Sequence, residues 1–351
     1  MIVTTVLGDV DSADLGVVLP HEHLVANAVG QWVPPADEAG LASATAPFSM
    51  RTRGAVQVAP FSYRDALQQL DLQVALTELR ELAALGRFTV AELSIPGIGR
   101  DPVALRTLSQ MTGVNVVMGC GEYVEHAHSA YVRHVGPEVV RDVLVEEITV
   151  GVGSTGVRAG IIGEIGTSNT PTPAELKVLH GAALAQMETG VALNIHRSIF
   201  PDPLATLPAI DHVLELGVDP AKVVVSHVDE RPEPEFALQA AARGVRVELD
   251  TFGMEQWAVS ARRGEEYPRR ALDQDRYVML ARLLDAGFVD QVLLSHDLCM
   301  KPQFLEHGGW GMTHLTLNVE PRLRALGVSE DEIAAMRVVN PRRMLERPGT
   351  L

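Results

Sequence analysis

Residues 160–196 read GIIGEIGTSNTPTPAELKVLHGAALAQMETGVALNIH and hold one complete strand–helix–strand unit. The run 160–165 is apolar apart from Glu164, as expected for a parallel strand buried on both faces. Thr172 can cap the segment that follows, Pro173 sits at its first helical position, and Glu175 closes a capping box. Gly190 stops that helix just before the next apolar run, 191–195. Moving outward along the chain, similar runs occur at 16–19, 90–95, 114–119, 223–226, 245–249 and 292–295, which makes eight. Ser62 with Asp65 predicts a helix start that Gly86 would end, and Ser329 with Glu332 predicts another near the C-terminus. Eight alternations of strand and helix predict a closed parallel (β/α)8 TIM barrel of the α/β class. No Gly-rich dinucleotide fingerprint follows the first strand, which speaks against an open doubly wound sheet. With no linker, charge block or low-complexity tract, residues 1–351 are expected to form a single domain. The irregular stretches 27–60 and 298–312 are expected as loop insertions on the C-terminal face, where they can form a lid.

Composition narrows the function. Apolar residues make up 46% and aromatics 5%, a balance that suits a barrel core of Val, Leu, Ile and Ala. A formal net charge of −16, with three lysines (Lys177, Lys222, Lys301), argues against a nucleic-acid partner. The N-terminal stretch lacks the pattern of a signal peptide, and no apolar run approaches the ~20 residues of a membrane span. Cys120 and Cys299 cannot make a disulfide framework for a chain of this size, so a reducing cytoplasm is expected.

The chemistry lies in what terminates the apolar runs. The first ends in Pro20-His21-Glu22-His23, the fourth carries Glu164, the fifth ends in His196, the sixth in His227, and the eighth in His296-Asp297. Barrel active sites are built at these strand ends. Residues two apart on a strand share a face, so His21 and His23 can converge on one ion, and imidazole and carboxylate suit zinc and similar divalent metals. A lone H-x-H is weak: 12 histidines in 351 residues give roughly 0.4 such pairs by chance. A second pair, His126 and His128, falls in the polar stretch GEYVEHAHSAY and is expected as solvated loop histidines. Convergence of six ligand-type residues from five strands is what raises His21 and His23 above chance. Strand alternation turns His296 away from the pocket, towards the barrel wall.

The runs LGVVLPHEHL, PGIGRDP, AGIIGEIGTS, NIHRS, VVVSHVDE, ELDTFG, LLSHDLC and NPRRML occur in this order between residues 7 and 346. Together they resemble the phosphotriesterase family of the amidohydrolase superfamily. The resemblance implies that His21, His23 and Asp297 bind a more buried metal and His196 and His227 a more exposed one. The best-known members bridge the pair with a carboxylated lysine. Here the matching position is Glu164, and none of the three lysines lies on that strand. It also implies a homodimer.

Two divalent ions, zinc first with manganese or cobalt as alternatives, would lower the pKa of a bridging water and polarise the electrophile. Asp297 is the expected proton acceptor. Tyr123 falls where lactonase-like members place a tyrosine near the metals, with a tyrosine packed on the rim as the alternative. Asp229 and Glu230 are candidates for supporting or proton-relay roles. After Asp250 stands Thr251, where known lactonases carry arginine and the phosphotriesterase proper carries histidine. The expected activity is hydrolysis of a lactone or carboxylic ester. Phosphotriester or N-acyl amide hydrolysis is the alternative, since the ligand set serves all of them. A metal-bearing protein that binds without turnover is the third reading, and the presence of Asp297 speaks against it.

Overall fold

A computed structural model describes residues 1–256 and 269–349. Eight strands form one sheet: β1 Val17–Glu22, β2 Phe88–Glu92, β3 Asn115–Cys120, β4 Ile161–Thr167, β5 Ala192–Arg197, β6 Val223–Val225, β7 Arg246–Leu249 and β8 Val292–Leu294. They pair in chain order, each parallel to the next. β8 returns beside β1, where the Asp297 amide donates to the His21 carbonyl at 3.2 Å and the Ser295 hydroxyl donates to the same oxygen at 2.8 Å. The ring is a (β/α)8 barrel.

Helices alternate with the strands around it, including α1 Leu72–Leu85, α2 Pro102–Thr112, α3 Pro137–Thr149, α4 Pro173–Thr189, α5 Leu207–Glu215, α6 Glu235–Ala242 and α7 Asp273–Asp285. The Thr172–Glu175 capping box and the left-handed Gly190 bound α4, and Ser329 and Glu332 box a short C-terminal helix, Glu330–Ala334. The expected start of α1 at Ser62 is wrong. Asp65 is drawn instead to the Phe48 amide (2.7 Å) and to Lys301 Nζ (2.8 Å), and Asp71 caps α1 through the Gln73 amide. Long-range partners outbid a locally sound cap; Gly86 still ends the helix.

Alternation along the strands sorts the core into two layers. Val18, Ala91, Val117, Ile161, Ala192, Val224 and Leu293 fill the barrel interior, closed below by Val3, Leu15, Met344 and Leu345. Leu19, Val90, Val116, Ile162, Leu193, Val225, Val247 and Leu294 face the helices. Two register shifts interrupt the pattern. Between Leu19 and Glu22 strand β1 spends three steps against two on β2, and between Ile162 and Ile165 strand β4 does the same against β5. Such a bulge turns the following side chains to the other face. Strict alternation from Val18 and Ile161, both interior, would send His21 and Glu164 out among the helices. The bulges bring them in.

The insertion 27–60 carries short helices at Glu38–Ala44 and Arg53–Val58. It is tied to the segment after β8 by Arg53, whose Nη1 donates to the carbonyls of Pro302 (2.8 Å) and His307 (3.1 Å).

Candidate metal centre

His21, His23, Glu164, His196, His227 and Asp297 meet at the C-terminal mouth of the barrel. Each arrives by a local device. The β1 bulge aims His21 and His23, the β4 bulge aims Glu164, and plain alternation from Ala192 aims His196. His227 and Asp297 take φ of 58° and 48°, the positive-φ non-glycine residues among those described. That conformation costs about 1–3 kcal/mol and persists only where neighbours enforce it. For His227 the enforcer is Asp250, whose carboxylate accepts from the His227 amide at 2.9 Å. For Asp297 it is the buried Glu22 between the two β1 histidines. Glu22 accepts from the His296 amide (3.0 Å), His296 Nδ1 (2.6 Å) and the Leu298 amide (3.1 Å). His296 faces the wall as expected, its Nε2 accepting from the Leu315 amide.

The tautomers follow from the remaining partners. Ser94 donates its hydroxyl hydrogen to the Val25 carbonyl, so His23 Nδ1–H donates to Ser94 Oγ at 2.9 Å, and the Nε2 lone pair faces Asp297 Oδ1 at 3.1 Å. His21 Nδ1 lies against Glu248 (3.2 Å) and Asp250 (3.3 Å), and His227 Nδ1 against Asp250 at 3.1 Å. His196 turns the other way, with Nε2 3.2 Å from Tyr123 Oη and Nδ1 inward. All four imidazoles therefore anchor the far nitrogen and present the near one to a common point, as metal-bound histidines do.

Three observations show that the set fits divalent ions. His21 Nε2 is buried without a hydrogen-bond partner among the described residues, aimed between Glu164 (3.8 Å) and Asp297 (3.9 Å). His196 Nδ1 and His227 Nε2 stand 2.8 Å apart, too close for two lone pairs unless a proton or cation lies between them. Glu164 divides its oxygens, Oε2 towards His196 (2.8 Å) and His227 (3.3 Å) and Oε1 towards His23 (3.7 Å), as a carboxylate serving two ions would. The electrostatics agree. Burial opposes a charge on Glu164, but His196, His227 and His21 hold its carboxyl well below the usual range. Burial likewise opposes charge on Asp297, and His23, His21 and His227 hold it low.

Tyr123 resolves to the site and not the rim: it is buried, lines the cavity and touches His196. A Cβ on Gly166 would meet the Tyr123 backbone at 2.2 Å, so glycine there admits the loop that carries Tyr123. Burial pushes the phenol well above its ordinary pKa, so it stays a hydrogen-bond donor. His128 is held by the Tyr123 carbonyl and His126 lines the cavity wall; neither belongs to a metal-competent cluster among the described residues. Asp229 lies below the pocket, accepting from the amides of Asp250 and Thr251 and from Arg276 Nε.

Glu248 and Asp250 escaped the sequence reading. They occupy alternate positions of Glu248-Leu249-Asp250, with Leu249 facing the helices, so period-two alternation carried the signal. Arg270, which also lines the cavity and pairs with Glu230, offered no such pattern. The cavity over the ligands measures about 390 Å³, at the small end of ligand pockets, and is walled largely by apolar side chains such as Phe61, Ile98, Ile199 and Met254.

The sequence profile of the phosphotriesterase family matches residues 1–345. N-acetyltaurine hydrolase of Xenopus tropicalis is 33% identical over 345 residues, covering 98% of this chain and 97% of that protein. The crystal structure of a resiniferatoxin-binding protein from Rhodobacter sphaeroides superposes with a TM-score of 0.92 at 33% identity, over 98% of this chain and 95% of that one. The phosphotriesterase homology protein from Escherichia coli, complexed with phosphate in its active site, gives 0.76 at 26% identity, over 95% and 99%.

Proposed function

Because this chain belongs to the phosphotriesterase family and is a metal-dependent hydrolase, we propose that the bond it cleaves is an N-acyl amide. Full-length kinship to a protein named for hydrolysing N-acetyltaurine carries this reading. The position after Asp250 supports it against a lactone. Thr251 is fully buried with its hydroxyl accepting from Arg276 Nε at 3.0 Å, and sends nothing into the pocket where lactonases carry arginine.

His21, His23 and Asp297 would hold one ion and His196 and His227 the other, with Glu164 between them. The metals, zinc in the first place, would supply an acidified water and a polarised carbonyl. The chain supplies the rest. His196 anchors Nε2–H on Tyr123 Oη, which leaves the phenol's own hydrogen free to donate to the acyl oxygen as charge develops there. Asp297, held ionised, takes the proton of the attacking water. An amine is a poor leaving group until its nitrogen is protonated, and Asp297 can deliver that proton within the same cavity. The apolar wall keeps bulk water from the breaking C–N bond.

A hydrolysis panel on zinc- and manganese-loaded protein tests the proposal. N-acetyltaurine and other N-acyl amines should be cleaved with a higher kcat/KM than lactones, aryl esters or phosphotriesters. Turnover of lactones alone would overturn it.

A further inference from the structure

Among the described residues two arginines line the cavity, and the fold uses them differently. Arg197 is committed to structure through both terminal nitrogens and a stacked ring, although its Nε too is buried without a hydrogen-bond partner among the described residues. Its Nη1 and Nη2 donate to the carbonyls of His227 (3.4 Å) and Pro203 (3.1 Å), and its guanidinium lies 3.8 Å over the Phe236 ring. Arg270 is only partly engaged. Nη1 donates to Glu230 Oε1 at 2.5 Å, while Nε is buried without a hydrogen-bond partner among the described residues, on a side chain 9% exposed. A guanidinium is a flat fork of five donors, and a carboxylate met through one nitrogen leaves the opposite edge free for a second anion. Leaving that donor unmet in a buried wall is costly, and the wall around it is apolar: Phe61 lies 5.8 Å from the guanidinium and Met254 beside it. Glu230 fixes the fork, and apolar surroundings strengthen whatever charge pairing it makes.

We propose that the free Nε edge of Arg270 binds an anionic group, a sulfonate or carboxylate, at the end of the substrate remote from the scissile bond. The substrate class is then an N-acyl amine with a terminal anion. Water adds across the amide, the acyl carbon gains oxygen as the C–N bond breaks, and the amine leaves protonated as a zwitterion. This rests on the amide reading, but the anion site can be tested without turnover.

Calorimetric titration of the metal-loaded protein with propanesulfonate and with butanoate gives that test, and the two arms tell sulfonate from carboxylate. The parent should bind at least one. Arg270→Gln should weaken binding roughly 10- to 100-fold, the range of a charge-assisted contact. Arg270→Lys should fall between, since it keeps the charge and loses the fork. No binding by the parent, or equal binding by parent and both variants at matched melting temperatures, overturns the anion site; equal binding would report the metals. In kinetics, the parent should prefer an acetamide ending in an anion over its neutral isostere, and that ratio should collapse in Arg270→Gln. Amide cleavage with no such preference sinks the anion site and leaves the amide reading standing. Arg270-dependent anion binding without any amide cleavage does the reverse.

Discussion

At the scale of single residues, the strained conformation of Asp297 supplies its own control. Asparagine adopts positive φ as readily as aspartate, so Asp297→Asn keeps the backbone and removes the charge and basicity. Its turnover should fall by about 10²–10⁴-fold with metal content largely retained, measured by kinetics beside elemental analysis. Unchanged turnover with both metals in place would refute its role as proton acceptor. Glu164→Gln should instead lose metal, because a neutral amide cannot bind two dications as a carboxylate does. Metal reconstitution of the parent should need no bicarbonate, and a bicarbonate requirement would rule out the unaided glutamate. The six residues that meet at the barrel mouth were legible as candidates because they end apolar runs, a purely local mark. Arg270 was not: its meaning depends on Glu230, forty positions away.

At the scale of the strand, the two bulges separate wall from chemistry. The sequence shows where β1 and β4 run but not their register, because a bulge is defined by what the neighbouring strand does. The interior direction of His21 followed from the shift against β2 and not from the pattern of Val18 and Leu19. A chain with one alanine inserted after Pro20 should carry His21 one place past the bulge and turn it towards the helices. It is expected to lose metal out of proportion to any fall in melting temperature, when compared with a core variant of equal Tm. Full metal content in that insertion variant would show that the register at the bulge does not aim His21.

At the scale of the molecule, the candidate ligands from β1, β4, β5 and β6 and from the turn after β8 meet at one centre, so ion binding there would tie most of the ring together. Binding to the folded state alone adds about 2.7 kcal/mol at a hundredfold excess over Kd, a shift of a few °C for a domain this large. Chelation should therefore lower Tm as well as abolish activity, with recovery on adding zinc; an unmoved Tm would argue against ions held by the folded barrel. Strand order and closure were readable from eight recurrent runs, whereas the pairing of Arg53 with the segment after β8 lay beyond any sequence signal. The barrel interior has a further property. Its lower end is sealed by Val3 and Leu15 from the start of the chain and by Met344 and Leu345 from near its end, and Lys222 clasps the carbonyls of Arg343, Met344 and Glu346. A ribosome releases the first pair early and the second only after every strand has emerged, at ~5–20 residues per second. For that interval the nascent ring stands open to solvent from beneath, and it is then that chaperones have apolar surface to hold.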